Sequence, residues 1–364
     1  MKKIFFILIL IFNYSCEKEL KKLNIKEEVA FGKPEGLSLY GNLNSFNNKI
    51  YCTSFDIKHN KNKIYRLKEN GGFEELVFQN FSKPFHGYQF ISDNELILNN
   101  GIIDSIYIVN TEKGVIHQDK LFFKDRKNVI NQIFSTSLNP IYKIKDEIYF
   151  SPFFFNYDKN QLKKISILYA YNIKSKKFRS LNVKIPNSYL ESDFFSPNIC
   201  HTYDGENIVF SPDNSHEIWI YNIIKNNFIS KNIKSDNFRE FRLFSNDPNK
   251  KMNESLYEDC FYSRYHNVYF DKKKKLYYRI FVPGQDIEKN DKRLRKLVSN
   301  PKSISVIVFN KNFEKISELL LDNYKFNIVA FTNDNGFYIS VDNEFSSNKN
   351  VNLPNLLKFR RLGF

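Results

Sequence analysis

HEIWIYNIIKNNFISKNI, residues 216–233, alternates apolar and polar positions through two short runs separated by a polar turn. Period-two alternation sends successive side chains to opposite faces of an extended strand, so the stretch reads as a β-hairpin. Its relatives recur along the chain. The strand preceding such a hairpin is found as NKIYCTSF (48–55), NELILNN (94–100), DEIYFSPF (146–153), ENIVFSPD (206–213), KLYYRIFV (275–282) and NGFYISVD (335–342). After each comes a loop of variable length, then a third strand and usually a fourth, at 64–76, 106–118, 168–181, 218–231 and 306–317. The sixth copy, LLKFRRLGF (356–364), stops one strand short.

Units of four short strands recurring every roughly 40–60 residues cannot bury their faces singly. They predict an all-β, six-bladed β-propeller with four-stranded antiparallel blades. The incomplete sixth unit predicts that LNIKEEVAF (23–31) supplies its outer strand, closing the ring and removing free strand edges. A β-sandwich with irregular additions is the rival, and it leaves the sixfold recurrence without a cause. A length of 364 residues exceeds what one hydrophobic core usually supports, which a radially repeated fold accommodates. Aromatic residues at 16%, with only 12 Gly and 11 Pro, suit pleated surfaces and exclude a disordered chain.

At the N-terminus, Lys2 and Lys3 precede IFFILILIF (4–12), an apolar run too short to span a bilayer as a stable helix. Asn13-Tyr14-Ser15-Cys16 follows. A cysteine directly after a short apolar run, with a small residue before it, resembles the lipobox of bacterial lipoproteins, although Asn13 departs from the usual apolar choice there. The resemblance implies a signal peptide over 1–15, lipidation of Cys16, a tether over 16–22 and a propeller domain over 23–364. Acyl chains on Cys16 would hold the protein to one membrane leaflet. Glu17-Lys18-Glu19 is similar to the surface-export signals of Bacteroidota lipoproteins. With its six units and YHNVYFDKKKKLYYRIF at 265–281, the chain resembles a family of Bacteroidota lipoproteins of unknown function with TolB-like or NHL-like six-bladed propellers. That likeness covers the mature chain, implies a cell-envelope, outer-membrane address and brings no activity with it.

Net charge is +15, and +13 once Lys2 and Lys3 leave with the signal. Such a field attracts anionic glycans, acidic proteins or headgroups. The lysines are scattered over turns (Lys61, Lys63, Lys174, Lys176, Lys177), and export separates the protein from nucleic acid, so no nucleic-acid partner is expected. Cys52, Cys200 and Cys260 sit beside aromatic or β-branched residues and read as buried small hydrophobes. No Cys/His spacing suggests zinc, and neither metal nor cofactor is expected. A monomeric propeller accounts for the chain.

In a propeller, loops entering each innermost strand share a face with loops joining second and third strands. The long segments 120–138, 184–197, 234–264, 153–165, 283–302 and 343–354 all fall there, and elaborated loops on a rigid scaffold are where binding residues concentrate. Counting back ten residues from one apolar position of the second strand gives His86, Asn198, His266 and Asn327, with Asn139 nine back in its own copy. With His201, Arg264 and Arg279, these are the ligand-binding candidates, a partial ring of His and Asn beside two arginines that can hold a sugar, a peptide or a carboxylate. Trp219 is expected in the core of its hairpin, at least one of Tyr277 and Tyr278 between blades, and Asp286, Glu288 and Asp291 in a solvated helical turn.

No GxSxG, HExxH or Gly-rich phosphate loop is present, so no catalytic residue is assigned. The expected function is a lipid-anchored extracytoplasmic propeller that binds a glycan, peptide or envelope protein through its long-loop face. The alternatives are a carbohydrate-active hydrolase or lyase, and a structural component of an envelope complex.

Overall fold

The computed structural model describes residues 23–34, 43–56, 61–69, 71–78, 81, 83, 85, 87–100, 105–120, 135–152, 159–243, 251–345 and 356–364. The leader, Cys16, the tether and His86 lie outside the described residues. The first strand, β1 (Asn24–Gly32), belongs to the last sheet. Blade one comprises β2 (Asn44–Phe46), β3 (Lys49–Asp56), β4 (Lys61–Leu67) and β5 (Phe73–Leu76). Blade two has β6 (Gly87–Phe90), β7 (Glu95–Asn100), β8 (Ser105–Asn110) and β9 (Gly114–Lys120). Blade three has β10 (Tyr142–Ile144), β11 (Glu147–Phe150), β12 (Tyr169–Asn172) and β13 (Lys177–Ser180). Blade four has β14 (Ile199–Tyr203), β15 (Asn207–Pro212), β16 (Glu217–Asn222) and β17 (Asn227–Asn232). Blade five has β18 (Arg264–Asp271), β19 (Leu276–Val282), β20 (Ile304–Asn310) and β21 (Lys315–Leu321). Blade six is ordered β22 (Ala330–Asn333), β23 (Gly336–Ser340), β24 (Leu356–Gly363) and then β1.

Every pairing within these sheets is antiparallel, and the six sheets form a six-bladed β-propeller. In blade six β1 pairs with β24 from Asn24 opposite Gly363 to Gly32 opposite Leu356. Glu28 with Arg360 (3.0 Å) and Glu27 with Arg361 (2.9 Å) form ion pairs across that seam.

The opening hairpin is β16 with β17, in register from Glu217 opposite Asn232 to Asn222 opposite Asn227. Alternation along β16 serves two interfaces at once. Trp219 and Tyr221 pack with Tyr149 and Ala170 of blade three, whereas Ile218 and Ile220 pack with Val268 and Tyr277 of blade five. β19 divides in the same way: Tyr278 and Ile280 turn to blade six, Tyr277 and Phe281 to blade four. Both tyrosines are therefore interblade residues, as is Trp219, all fully buried. Six large apolar clusters lie one at each blade junction, and a seventh lies among the long loops.

The hairpin turns have a common cause. An asparagine closes the third strand of four blades and accepts from backbone N–H groups of the following turn. Asn222 Oδ1 accepts from Lys225 (2.7 Å), Asn172 from Ser175 (2.8 Å), Asn310 from Asn312 (2.9 Å), and Asn110 from Glu112 and Lys113 (both 3.0 Å). These side-chain turns reverse the chain within a few residues.

Among the described residues four short helices interrupt the connections: α1 (Lys159–Leu162), α2 (Asn187–Leu190), α3 (Met252–Phe261) and α4 (Leu294–Leu297). Each falls in a segment entering an innermost strand or joining second to third strands, hence on the long-loop face. Cys52, Cys200 and Cys260 are buried free thiols.

Phe337 stacks on Tyr278 across the junction of blades five and six, with ring centroids 4.7 Å apart and planes inclined by 7°. Phe337→Ala is expected to destabilise the protein by about 3–5 kcal/mol, the usual cost of truncating a buried aromatic. A shift in urea midpoint at unchanged slope would show it.

Candidate functional site

Blades three, four and five surround a cavity of about 310 Å³ on the long-loop face. Blade three contributes Leu138, Asn139 and Pro152; blade four Pro197, Asn198, Ile199, Cys200 and Asp213; blade five Arg264, Tyr265 and His266. Backbone bonds fasten these walls together. His201 N–H donates to Leu138 O (3.0 Å), Asp213 N–H to Asn198 O (3.1 Å) and Tyr265 N–H to Asp213 O (2.7 Å). Asn267 Nδ2 donates to Ser137 O (3.1 Å), joining blade five to blade three.

Four of the residues expected from sequence, Asn139, Asn198, Arg264 and His266, therefore meet at one cavity. Asn198 Nδ2 donates to Asp213 Oδ2 (3.2 Å). Asn139, with its amide nitrogen turned toward Ile199 O (2.9 Å) and His201 Nδ1 (3.1 Å), ties blade three to blade four. His201 then donates from Nε2 to Pro140 O (3.0 Å). Burial depresses its pKa to about 4, so it is a neutral structural imidazole behind the cavity wall. Burial and the nearby Arg264 charge depress His266 further, to about 3. Its Nδ1 is buried without a protein hydrogen-bond partner. Arg264 lines the cavity but spends two donors on main-chain carbonyls, Asp259 O at the end of α3 and Val298 O just after α4 (2.6 Å).

Two candidates lie elsewhere. Arg279 is completely buried between blades four and five, and its partners are Ser211 Oγ (2.8 Å) and the carbonyls of Pro212, Ser215, His216, Glu217 and Ile233. Its guanidinium lies 3.3 Å from the centre of the Tyr265 ring. Alternation turned it away from the mouth of the blade into the sheet interface, where it fixes the strand end that carries Asp213. Asn327 is buried too, donating to Asp342 O (3.0 Å) and accepting from Val329 N–H (2.9 Å), a loop brace in blade six.

Asp213 escaped the sequence reading. The signal was present in the two FSP copies, where Phe153 follows the first and Asp213 the second. Burial pushes its carboxyl up to about 6, against the opposing effects of Ser196, Asn198 and Arg264. Its Oδ1 is buried without a protein partner. Strongly shifted carboxyls in clefts cluster at functional sites.

The insertion between blades four and five frames one side of the cavity. Asp286 and Glu288 are exposed, as expected, but Asp286, Glu288 and Asp291 lie in irregular chain rather than a helical turn; the helix of this segment is α4, whose Leu294 and Leu297 pack with Cys260 of α3. Asp286 pairs with Arg239 (3.0 Å) and Asp291 with Arg293 (2.7 Å). Gly284 allows the approach, since a Cβ there would sit 2.1 Å from Phe261 O. The start of the insertion is pinned by Glu318 of β21. Its carboxylate accepts from Ser235 Oγ (2.5 Å), Asn237 Nδ2 (3.0 Å), the Asp236 N–H (2.8 Å), Ser305 Oγ and Lys315 Nζ (2.6 Å). Burial opposes ionisation, yet these donors hold its pKa down at about 2.

The family model for the domain of unknown function DUF4221 matches residues 79–320, which span blades two to five and include every residue of the cavity wall. The chain belongs to the DUF4221 family. A member of this family from Bacteroides vulgatus ATCC 8482 has a similar structure, with TM-score 0.74 at 16% identity over 94% of this chain and 98% of that one. The "Putative exported protein (BF0058)" of Bacteroides fragilis NCTC 9343 matches with TM-score 0.54 at 10% identity, over 94% and 96%. At such identities the likeness shows the fold. No curated protein matches this DUF4221 chain.

The Glu318 and Asp213 carboxyls predict opposite pH behaviour. Glu318 titrates below its ordinary 4.5, so its contribution is complete above that value and is lost as pH falls toward about 2. Glu318→Gln should lower the melting temperature at pH 7 and flatten its fall between pH 4.5 and 2. Asp213 titrates above its ordinary 3.8, so its charge burdens the fold above about pH 6. Asp213→Asn should raise the melting temperature at pH 7.5, with the gain vanishing below about pH 4.

Proposed function

We propose that this DUF4221 protein is a lipid-anchored extracytoplasmic binding protein whose ligand sits in the cavity of blades three to five. The observation that carries the reading is the convergence of Asn139, Asn198, Arg264 and His266, drawn from three blades, on one cavity with the costly Asp213 in its wall. Pockets for small molecules begin at roughly 300 Å³, are mostly apolar and hold a few placed polar groups. This one has that make-up. The extracytoplasmic address is supported by the leader and Cys16 in the sequence, and by the exported name of the B. fragilis relative. No helix among the described residues is long and apolar enough to cross a membrane.

Asp213 also gives the hydrolase or lyase alternative its one foothold, a carboxyl titrating near 6 in a cavity. Glycoside hydrolysis ordinarily needs two carboxyl groups flanking the bond, and Asp213 is the single carboxylate among the described lining residues. Binding is the better supported reading.

Glycan and peptide panels followed by melting temperature and by product analysis separate the alternatives. A stabilising ligand with no turnover, whose effect disappears in Asn198→Ala and His266→Ala, is the expected outcome; turnover supports the enzyme, and silence across both panels the envelope scaffold. For the anchor, Cys16→Ala is expected to abolish fatty-acid labelling and to move the protein from the membrane to the soluble fraction.

A further inference from the structure

The face opposite the cavity carries a concentrated charge that the fold does not use. Asp271 ends the innermost strand of blade five, and its Oδ1 accepts from the Lys274 N–H (2.8 Å), so the β18–β19 turn is made by one carboxylate and the backbone. The residues of that turn are Lys272, Lys273, Lys274 and Lys275, all exposed. Their side chains take no part in the reversal, and no ion pair among the described residues engages them. Lys26 of β1 joins them, since its stem and Lys274 Nζ both lie within 4 Å of where a Cβ on Gly363 would stand. Opposing them are Asp271, which is fully buried, and Asp334, whose charge acts on Asp271. Glu27 is taken by Arg361 (2.9 Å). Lys26 and Lys272 to Lys275 thus stand against Asp271 and Asp334, and like charges so close together repel one another until an anionic surface meets them.

Position selects that surface. Leu23 packs in the core between blades five and six, at the start of β1 on this same face. With Cys16 lipidated, the proposed reading on which this inference rests, the chain from Cys16 to Leu23 reaches at most about 25 Å by any path. So short a link gives the turn an effective concentration on the order of millimolar over the bilayer. Contacts too weak to recruit a free protein then suffice to seat a held one. Each lysine at an anionic membrane surface is worth a factor of about five. An acidic protein or glycan in the surrounding medium is not brought near in this way.

We propose that the Lys272–Lys275 turn, with Lys26, docks on the phosphate headgroups of an anionic bilayer and seats the propeller on its short-turn face. Lysine acetylation read by mass spectrometry tests this on the lipoprotein purified from membranes and reconstituted in vesicles of phosphatidylcholine or of phosphatidylglycerol. Lys272 to Lys275 react at least about fivefold more slowly on phosphatidylglycerol, whereas Lys289 and Lys292 of the long-loop face react equally on both. The difference disappears in molar salt, where the screening length falls to about 3 Å. Separately, the full chain carrying Cys16→Ala sediments with phosphatidylglycerol vesicles more than with phosphatidylcholine. Lys273→Gln with Lys274→Gln weakens that preference about 25-fold, the product of two single-lysine factors, at unchanged melting temperature. Equal labelling of Lys272 to Lys275 on the two lipids overturns the docking while leaving the anchor in place. Protection of Lys289 and Lys292 instead overturns the orientation. A purified protein whose Cys16 carries no acyl group overturns the anchor; the vesicle preference of Cys16→Ala then decides for the surface, and its absence overturns that as well.

Discussion

A four-stranded sheet of this chain is apolar on both faces, and no layer of long helices is present among the described residues to cover either one. Each blade must therefore be covered by two others, and that requirement organises the molecule. It explains why Trp219 and Ile218, adjacent in sequence, belong to different cores, and why large aromatic rings fill the junctions. It also explains why so few glycines and prolines are needed. Reversals are made by asparagines closing third strands rather than by glycine at every turn.

The junction of blades four and five departs from this apolar pattern. Arg279 brings a full charge into it and meets neutral partners, five carbonyls and a serine hydroxyl, with the Tyr265 ring beneath. Hydrophobic residues of similar volume often stabilise such a place as well or better, so the guanidinium is better understood as a fixture than as a stabiliser. Its carbonyl partners come from the β15–β16 connection and the ends of β16 and β17, the backbone that also presents Asp213. Tyr265, held against it, lines the cavity. Glu318 performs a related task for residues 235–237, where the chain leaves blade four for α3. Arg279 thus braces the backbone beside Asp213 and the ring of Tyr265, while Glu318 fixes the chain that leads from blade four toward α3.

The blades were legible in the sequence because a strand–turn–strand unit recurs six times; the strands themselves depart from strict alternation, since one buried on both faces, such as β16, is written as a continuous apolar run. The site was legible only in part. Asn198 and His266 share a position relative to their second strands, and Asn139 is one residue off it, so a count along the chain brings them together. The same count finds Asn327, but blade six lies outside the walls of the cavity, and counting contains no information about which blade is which. Arg279 was placed near the mouth on chemical type alone. Its direction depends on the strand's alternation, which sends it with Tyr277 and Phe281 toward blade four. Asp213 was hidden for a different reason: one carboxylate in a chain with 40 acidic residues has no mark until its burial is known.

The direction of β1 fixes how the molecule can be held. Asn24 lies opposite Gly363, and Lys26 and Lys274 both approach Gly363, so the strand begins among the short turns and runs toward the long loops. Leu23, which precedes that strand, therefore lies on the side of the short turns, opposite the cavity. A protein held there presents its cavity outward, away from whatever surface holds it, with the lysines of the 272–275 turn nearest that surface. The propeller then acts as a pedestal, and its thickness sets the height at which the cavity meets the surrounding medium.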